Sequence, residues 1–240
     1  MIQKLFSENE ITISDKQEQQ FQKYFNLLIE WNQRINLTSI TDYEEVIWKH
    51  FIDSALLTKS SLYKDRERKS VLDLGTGAGF PGMVLAILTP EKHFVLIDSL
   101  QKRIDFLSYV IQELRLDNVQ VFHGRAEDYG RKEKFRNQFD FVVSRAVAEL
   151  PLLLEYCIPF VKKNGYFVSY KSKKYREEIE ISEYAFSELT SKLEKVESYY
   201  LKDEDERVLL FIQNLSITND KYPRRAGKPK KKPLIKESFT

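Results

Sequence analysis

Residues 71 to 82 read VLDLGTGAGFPG and hold four of the eight glycines in this chain of 240 residues. The aliphatic run Ser70 to Leu74 comes before the glycines and an apolar stretch follows them, which reads as strand, tight turn and helix. In an open α/β sheet such a turn places backbone N–H groups at the carboxyl edge, where ligands bind. A bare turn with no ligand is the plainer reading. It sits poorly with half of the chain's glycines being gathered here, because glycine is costly where its freedom is not used.

Outward from the turn, short β-branched runs at His93 to Asp98, Val119 to His123, Phe139 to Ser144 and Gly165 to Lys171 read as further strands. Helical patterns separate them. The clearest runs from Lys102 to Leu116, where Ile104, Leu107, Val110, Ile111 and Leu114 share a face. Alternating strands and helices predict a mostly parallel sheet covered on both sides. A helix is expected near Glu177 to Leu193, followed by strands Lys195 to Leu201 and Arg207 to Gln213 around the short turn KDEDE, so the sheet should end in an antiparallel hairpin.

Upstream, Ser14 and Gln17 form a capping box ahead of Phe21, Tyr24, Phe25, Leu28 and Ile29 at helical spacing, and a second helical pattern covers Glu44 to Lys59. The polar stretch WNQRINLTSITD separates the two. Residues 1–62 therefore read as a helical appendage, 63–218 as the α/β domain and 219–240 as a basic arm. The arm's last twenty residues carry eight Lys or Arg against the single acid Glu237; with a total charge of +2, the other 220 residues carry −5. Such sorting suggests a polyanionic partner, and a segment rich in Lys, Pro and Gly is expected to stay flexible until it meets one. A solvated tail that aids solubility is the blander alternative.

With 42% hydrophobic and 31% charged residues the composition is that of an ordinary globular protein. No apolar run nears the roughly 18 residues that cross a bilayer, and the N-terminus lacks secretory features, so a cytoplasmic setting is expected. The single Cys157 lies in LLLEYCIPF, where a buried, inert thiol is expected. His50, His93 and His123 are dispersed and no Cys pair exists, which predicts no metal site.

Gly77 to Gly82 also spells the dinucleotide fingerprint G-x-G-x-x-G, and Asp98 lies nineteen residues after Gly79 where an acid meets ribose hydroxyls, so these features alone leave NAD and S-adenosylmethionine both open. Three others choose between them. Asp73, two residues before the first glycine, suits a ligand bearing an ammonium group and would oppose the phosphates of a dinucleotide. GRAEDYG offers Glu127 and Asp128 to an adenine amino group. The closing hairpin is how the class I S-adenosylmethionine-dependent (Rossmann-like) methyltransferase sheet departs from the NAD-binding one.

The segments LIEWNQRINLTSI, KHFIDSALL, VLDLGTGAGFPG, IDSLQKRIDFL, GRAEDYG, VVSRAVAEL, VKKNGYFVSYKS and KYPRRAGKPKKKPL, in this order over nearly the whole chain, resemble the bacterial small-subunit (16S) ribosomal RNA guanine-N7 methyltransferases, also called glucose-inhibited division protein B. The resemblance implies methyl transfer from S-adenosylmethionine to N7 of a guanine in the decoding-region loop of small-subunit rRNA. Carried over by residue, it implies cofactor contacts from Gly75, Gly77, Gly79, Phe80, Asp98, Ser99, Ala126, Glu127 and Arg145. Tyr170 and Glu149 depart from the family's usual residues, and neither lies in the cofactor turn.

Guanine N7 carries a lone pair and no proton, so its methylation needs no general base. Ser144-Arg145-Ala146-Val147 replaces the Asn/Asp-Pro-Pro-aromatic motif of amine methylation, and no Cys nucleophile is offered. Arg145 and Lys171, ending adjacent strands, are the candidate catalytic residues, although charge at a strand end can equally be solvated surface. Arg34, Asn36 and His50 are candidate RNA contacts, with a His50–Asp53 hydrogen-bonded buttress as the alternative. Arg224, Arg225, Lys228 and Lys230 would neutralise phosphates. Nothing demands a dimer, so a monomer is expected. Rival readings are a methyltransferase for a small molecule or protein, a non-enzymatic RNA-binding assembly factor, and an NAD enzyme.

Overall fold

The computed structural model describes residues 1–202 and 205–236. Seven strands, β1 Ser70–Leu74, β2 His93–Asp98, β3 Val119–His123, β4 Phe139–Arg145, β5 Val161–Lys171, β6 Ser191–Leu201 and β7 Asp205–Asn214, form one sheet in the order β3-β2-β1-β4-β5-β7-β6. The first five run parallel, and β7 lies antiparallel between β5 and β6. Strand order reverses between β1 and β4, and at such a switch point the carboxyl edge opens a crevice.

Period-two alternation assigns each residue to a face. Val71, Phe141, Val143, Val168 and Phe211 join one apolar cluster, while Leu72, Leu74, Val142, Phe167 and Leu210 join the other. The first cluster is roofed by helices Gly82–Leu88 and Gln101–Leu114 and by residues of the N-terminal helices, Phe6, Phe21, Tyr24, Leu28 and Phe51. The segment expected as an appendage thus shares the sheet's own core. Its helix Asp15–Asn32 starts at the Ser14–Gln17 capping box. Gln17, Gln20 and Lys23, at helical spacing, then donate to the carbonyls of Ile87 (2.8 Å), Leu114 (3.0 Å) and Glu113 (2.9 Å). Those carbonyls end the two roofing helices and have no partner within them.

Three elements differ from the sequence reading. The second N-terminal helix is interrupted: Tyr43–Val46 and Asp53–Ala55 flank a π-helical stretch, Ile47–Ile52. The helix expected to reach Leu193 stops at Glu188, because Thr190 turns through φ +49° and Ser191 begins pairing with Asn214. The C-terminal segment, expected as an arm, is packed at several points among the described residues: Tyr222, Pro223, Pro229 and Leu234 are buried, Tyr222 and Leu234 within the second apolar cluster, and the cations between them face outward or are paired. Four apolar side chains spread among prolines and lysines leave no periodic pattern to read. Glu237 lies outside the described residues.

Candidate functional site

The turn after β1 is held from beneath. Gly75 N–H and Thr76 N–H donate to the Ile97 carbonyl, and Gly77 N–H donates to Asp98 Oδ2 at 2.9 Å. Gly82 has no room for a side chain, since a Cβ there would lie 2.7 Å from Asp73 Oδ2, which instead accepts from Gly82 N–H and Thr76 Oγ1, each at 2.7 Å. Gly77, at φ +60°, faces open space. The turn therefore leaves a concavity above Gly77 with a carboxylate buried beneath it.

Asp73 is wholly buried, and burial pushes its carboxyl up to about 7 against the hydrogen bonds from Thr76 and Gly82. Its Oδ1 has no hydrogen-bond partner. A buried acceptor left open next to a glycine turn fits a donor brought by a ligand, and an ammonium group would draw the carboxyl back toward its charged form. Asp98, also buried, accepts from Leu100 N–H and pairs with Arg103 at 3.2 Å.

Three cavities follow one another along the carboxyl edge. One of about 430 Å³ is lined by Gly75, Asp98, Ser99, Ala126, Glu127 and Tyr156. The next, about 370 Å³, adds Gly77, Phe80, Thr38 and Arg103 to Gly75, Asp98 and Ser99, and reaches His50 and Arg145. A third of about 430 Å³ continues from His50 and Arg145 to Lys49, Tyr170, Lys171 and Arg207. The shared linings join the three into one groove along the carboxyl edge. Of the expected acids after β3, Glu127 lines it while Asp128 stays exposed.

At the far end Arg145 lies over the Phe80 ring, 5.3 Å from its centre, and donates to Asp53 Oδ2 at 2.6 Å and to the Lys49 carbonyl at 3.1 Å. Asp53 also pairs with Arg207 at 3.2 Å. His50 stacks on Phe80 with ring centres 4.6 Å apart and shares a 2.8 Å hydrogen bond with Thr38 Oγ1. Burial, with the Arg145 charge nearby, lowers His50 to about 4, so the imidazole is neutral near pH 7. The expected His50–Asp53 pair does not form: each has another partner. Asn32 sets Thr38 in place, its Oδ1 accepting from Leu37 and Thr38 N–H.

Lys171 donates to the Ala148 carbonyl (3.0 Å) and to Glu178 (2.6 Å), whose Oε2 also accepts from Leu150 N–H, so its ammonium is committed to holding the loop after β4. Tyr170 donates to the Ser54 carbonyl (2.9 Å). Arg34 and Asn36 are exposed and line none of the three cavities. In the C-terminal segment Arg225, Lys228 and Lys230 are exposed, whereas Arg224 is tied to the fully buried Glu155. Cys157 is buried and burial raises its thiol, in keeping with an inert role. Among the described residues no group of three or more His, Cys, Asp or Glu side chains could hold a metal, and no helix is long and apolar enough to cross a membrane.

Sequence reasoning missed Thr38, Arg103, Tyr156, Arg207 and Gly227. Arg103 carried a weak signal, a cation one turn into the helix after a strand-end acid. Gly227 stands in the quoted segment KYPRRAGKPKKKPL but nothing there ties it to the cofactor turn, and Arg207 carries no signal, since each meets the site only through packing.

The sheet order, the closing hairpin and the glycine turn are those of class I S-adenosylmethionine-dependent methyltransferases. The chain is similar in fold to M. jannaschii TYW2 in complex with AdoMet (TM-score 0.52, 19% identity, covering 68% of this chain and 76% of that one). It is also similar to a SAM dependent methyltransferase from Aquifex aeolicus (TM-score 0.51, 19% identity, 71% and 93%). In sequence it is 51% identical to the ribosomal RNA small subunit methyltransferase G of Lachnoclostridium phytofermentans over 94% of this chain and 93% of that protein. It is 47% identical to that of Lactococcus lactis subsp. lactis over 95% of each. Residues 17–209 match the family model GidB, rRNA small subunit methyltransferase G. The groove thus belongs to a methyltransferase that uses S-adenosylmethionine, and the chain is a member of the rRNA small subunit methyltransferase G family.

Proposed function

We propose that this protein transfers a methyl group to N7 of a guanine in the decoding-region loop of 16S rRNA, acting in the cytoplasm as a monomer. The observation that carries the reading is the continuous groove from Glu127 through the glycine turn to Arg145, built from one chain. S-adenosylmethionine supplies an electrophilic sulfonium methyl when bound. Gly75, Gly77 and Phe80 would cradle its methionine end, and the unpartnered oxygen of Asp73 would receive the ammonium group, while the expected Gly79 lies packed against Tyr24, Met83 and Leu107 and serves the turn. Asp98 and Ser99 meet the ribose, and Ala126 and Glu127 the adenine.

N7 attacks as it stands, so the residues at the acceptor end have to position the base and keep water out; positioning alone is worth ~7 to 11 kcal/mol in favourable cases. Methylation leaves the purine cationic, and a bare positive charge beside it would raise the barrier. Arg145 avoids this by sharing its charge with Asp53, and His50 by being neutral. Arg145 can then orient the guanine or a flanking phosphate from the face of Phe80. Lys171 acts one step back, fixing the loop that follows Arg145.

Arg34, Asn36 and His50 contact RNA along the helical wall, and Arg225, Lys228 and Lys230 meet phosphates, giving salt-sensitive affinity with little sequence information. Selection of one guanine then rests on folded RNA shape. The test is transfer from methyl-labelled S-adenosylmethionine to small-subunit particles and to bare rRNA, followed by nucleoside analysis. Labelled 7-methylguanosine in one loop is expected. Label in another nucleoside, or none in RNA, overturns the assignment.

A further inference from the structure

The C-terminal segment is tied to the α/β domain by several charged hydrogen bonds. Glu155, fully buried on the helix Leu150–Cys157, accepts from Arg224 Nε and from Arg224 N–H, each at 2.8 Å. Arg136 donates to the carbonyls of Thr218 and Tyr222, both at 2.7 Å, and Arg131 to that of Pro223 at 2.6 Å. Buried, multiply hydrogen-bonded charges of this kind fix geometry more than they add stability.

What the clamp fixes lies three residues on. Gly227 N–H donates to Glu127 Oε1 at 3.1 Å, and Gly227 and Lys230 line the same cavity as Glu127, Ala126, Asp98 and Ser99. Tyr156, next to the clamping Glu155, forms another part of that wall, and burial with the neighbouring carboxylates raises its hydroxyl to about 12. One helix therefore supplies both the anchor of the segment and a wall of the cavity. Glu127 thus has the Gly227 N–H on one oxygen and the Tyr156 hydroxyl beside it, and such partners set the direction of a carboxylate in the cavity.

We propose that the turn Ala226–Lys230 is part of the adenosine site, holding Glu127 in the orientation that accepts the adenine amino group, and that the Glu155–Arg224 pair keeps this turn in place. The inference rests on the reading that Glu127 faces adenine. Lys230 is then a pocket residue as well as an RNA-facing cation, and Arg224 a positioning residue.

The test is equilibrium binding of S-adenosylhomocysteine, and of S-inosylhomocysteine in which a carbonyl replaces the amino group, to the full chain and to Arg224→Ala, Arg224→Lys and Lys230→Ala. Arg224→Ala should weaken S-adenosylhomocysteine about ten-fold, or about 1.4 kcal/mol, and narrow its advantage over the inosine analogue. Arg224→Lys should recover part of both. The exposed Lys230→Ala should weaken binding about three-fold with an unchanged unfolding midpoint, and it decides the matter alone if Arg224→Ala does not fold. Wild-type affinity and base preference in both alanine variants would overturn the role of the turn. Failure of the unaltered chain to bind S-adenosylhomocysteine would instead sink the cofactor reading and this inference with it.

Discussion

Two buried carboxylates stand at the groove, Asp53 in its wall and Asp73 beneath the glycine turn, and their surroundings are opposite. Asp53 is 4% exposed and stands between Arg145 and Arg207, so its charge is matched twice within the protein. Asp73, with no exposure, has two neutral donors on one oxygen and nothing on the other. The first has a guanidinium beside each oxygen, with the hydrogen bond going from Arg145 to Oδ2, and it serves to aim Arg145. The second is unfinished, and its raised pKa measures how poorly the protein alone stabilises its charge.

If that contrast holds, Asp53→Ala should have the largest effect on the fold, because it strands the Arg145 guanidinium, only 14% exposed, and leaves Arg207 to Asp205 alone. A loss of about 3 kcal/mol in denaturant unfolding is expected, together with loss of methyl transfer. A variant as stable as wild type would show that the Asp53 pairs are incidental. Asp73→Asn should do the reverse. Stability should hold or rise, since a buried charge is removed, while cofactor binding weakens roughly 10- to 100-fold through loss of a charge-assisted hydrogen bond of about 1.5 to 3 kcal/mol. Titration calorimetry with unchanged affinity would remove Asp73 from the cofactor site.

The sign of the pH dependence sharpens the same contrast. Asp73 has a folded pKa near 7, above the unfolded value near 4, so between these the folded state keeps a proton that the unfolded state has lost. Stability of the cofactor-free protein should therefore fall as pH rises through that window, and Asp73→Asn should flatten the slope. Cofactor affinity should run the other way, rising up to about ten-fold per pH unit below 7 and levelling above it. His50, lowered to about 4, should not contribute a limb near 6.5, so His50→Gln should leave the profile's midpoint in place. A midpoint that moves with His50 would reverse the roles.

The smallest effects belong to the exposed cations. Arg225→Ala and Lys228→Ala should each lower the slope of log affinity for rRNA against log salt by about 1, without altering cofactor binding. A slope unchanged in both would place the RNA elsewhere.

Much of the fold was legible because its signals are local. The aliphatic run to Leu74 and the glycine spacing after it define β1 and the turn, and the ends of β2 and β3 fall where the β-branched runs end. Local signals also misled where neighbours overrode them: Ser191 to Leu193 continues a helical pattern but pairs with β7. The segment from Tyr222 was read by its lysines, whereas its four buried apolar residues decide its place.

By itself the sequence determined the sheet type, the class of cofactor and the family, since each depends on residue types at short, fixed spacings. Only the tertiary structure decided which charges act and which are already spent. Arg145 meets Asp53, Arg224 meets Glu155 and Gly227 meets Glu127 across 92, 69 and 100 residues of chain. The physical reason is that a buried charge takes its character from whatever packing brings beside it, and at those separations no local pattern names the partner.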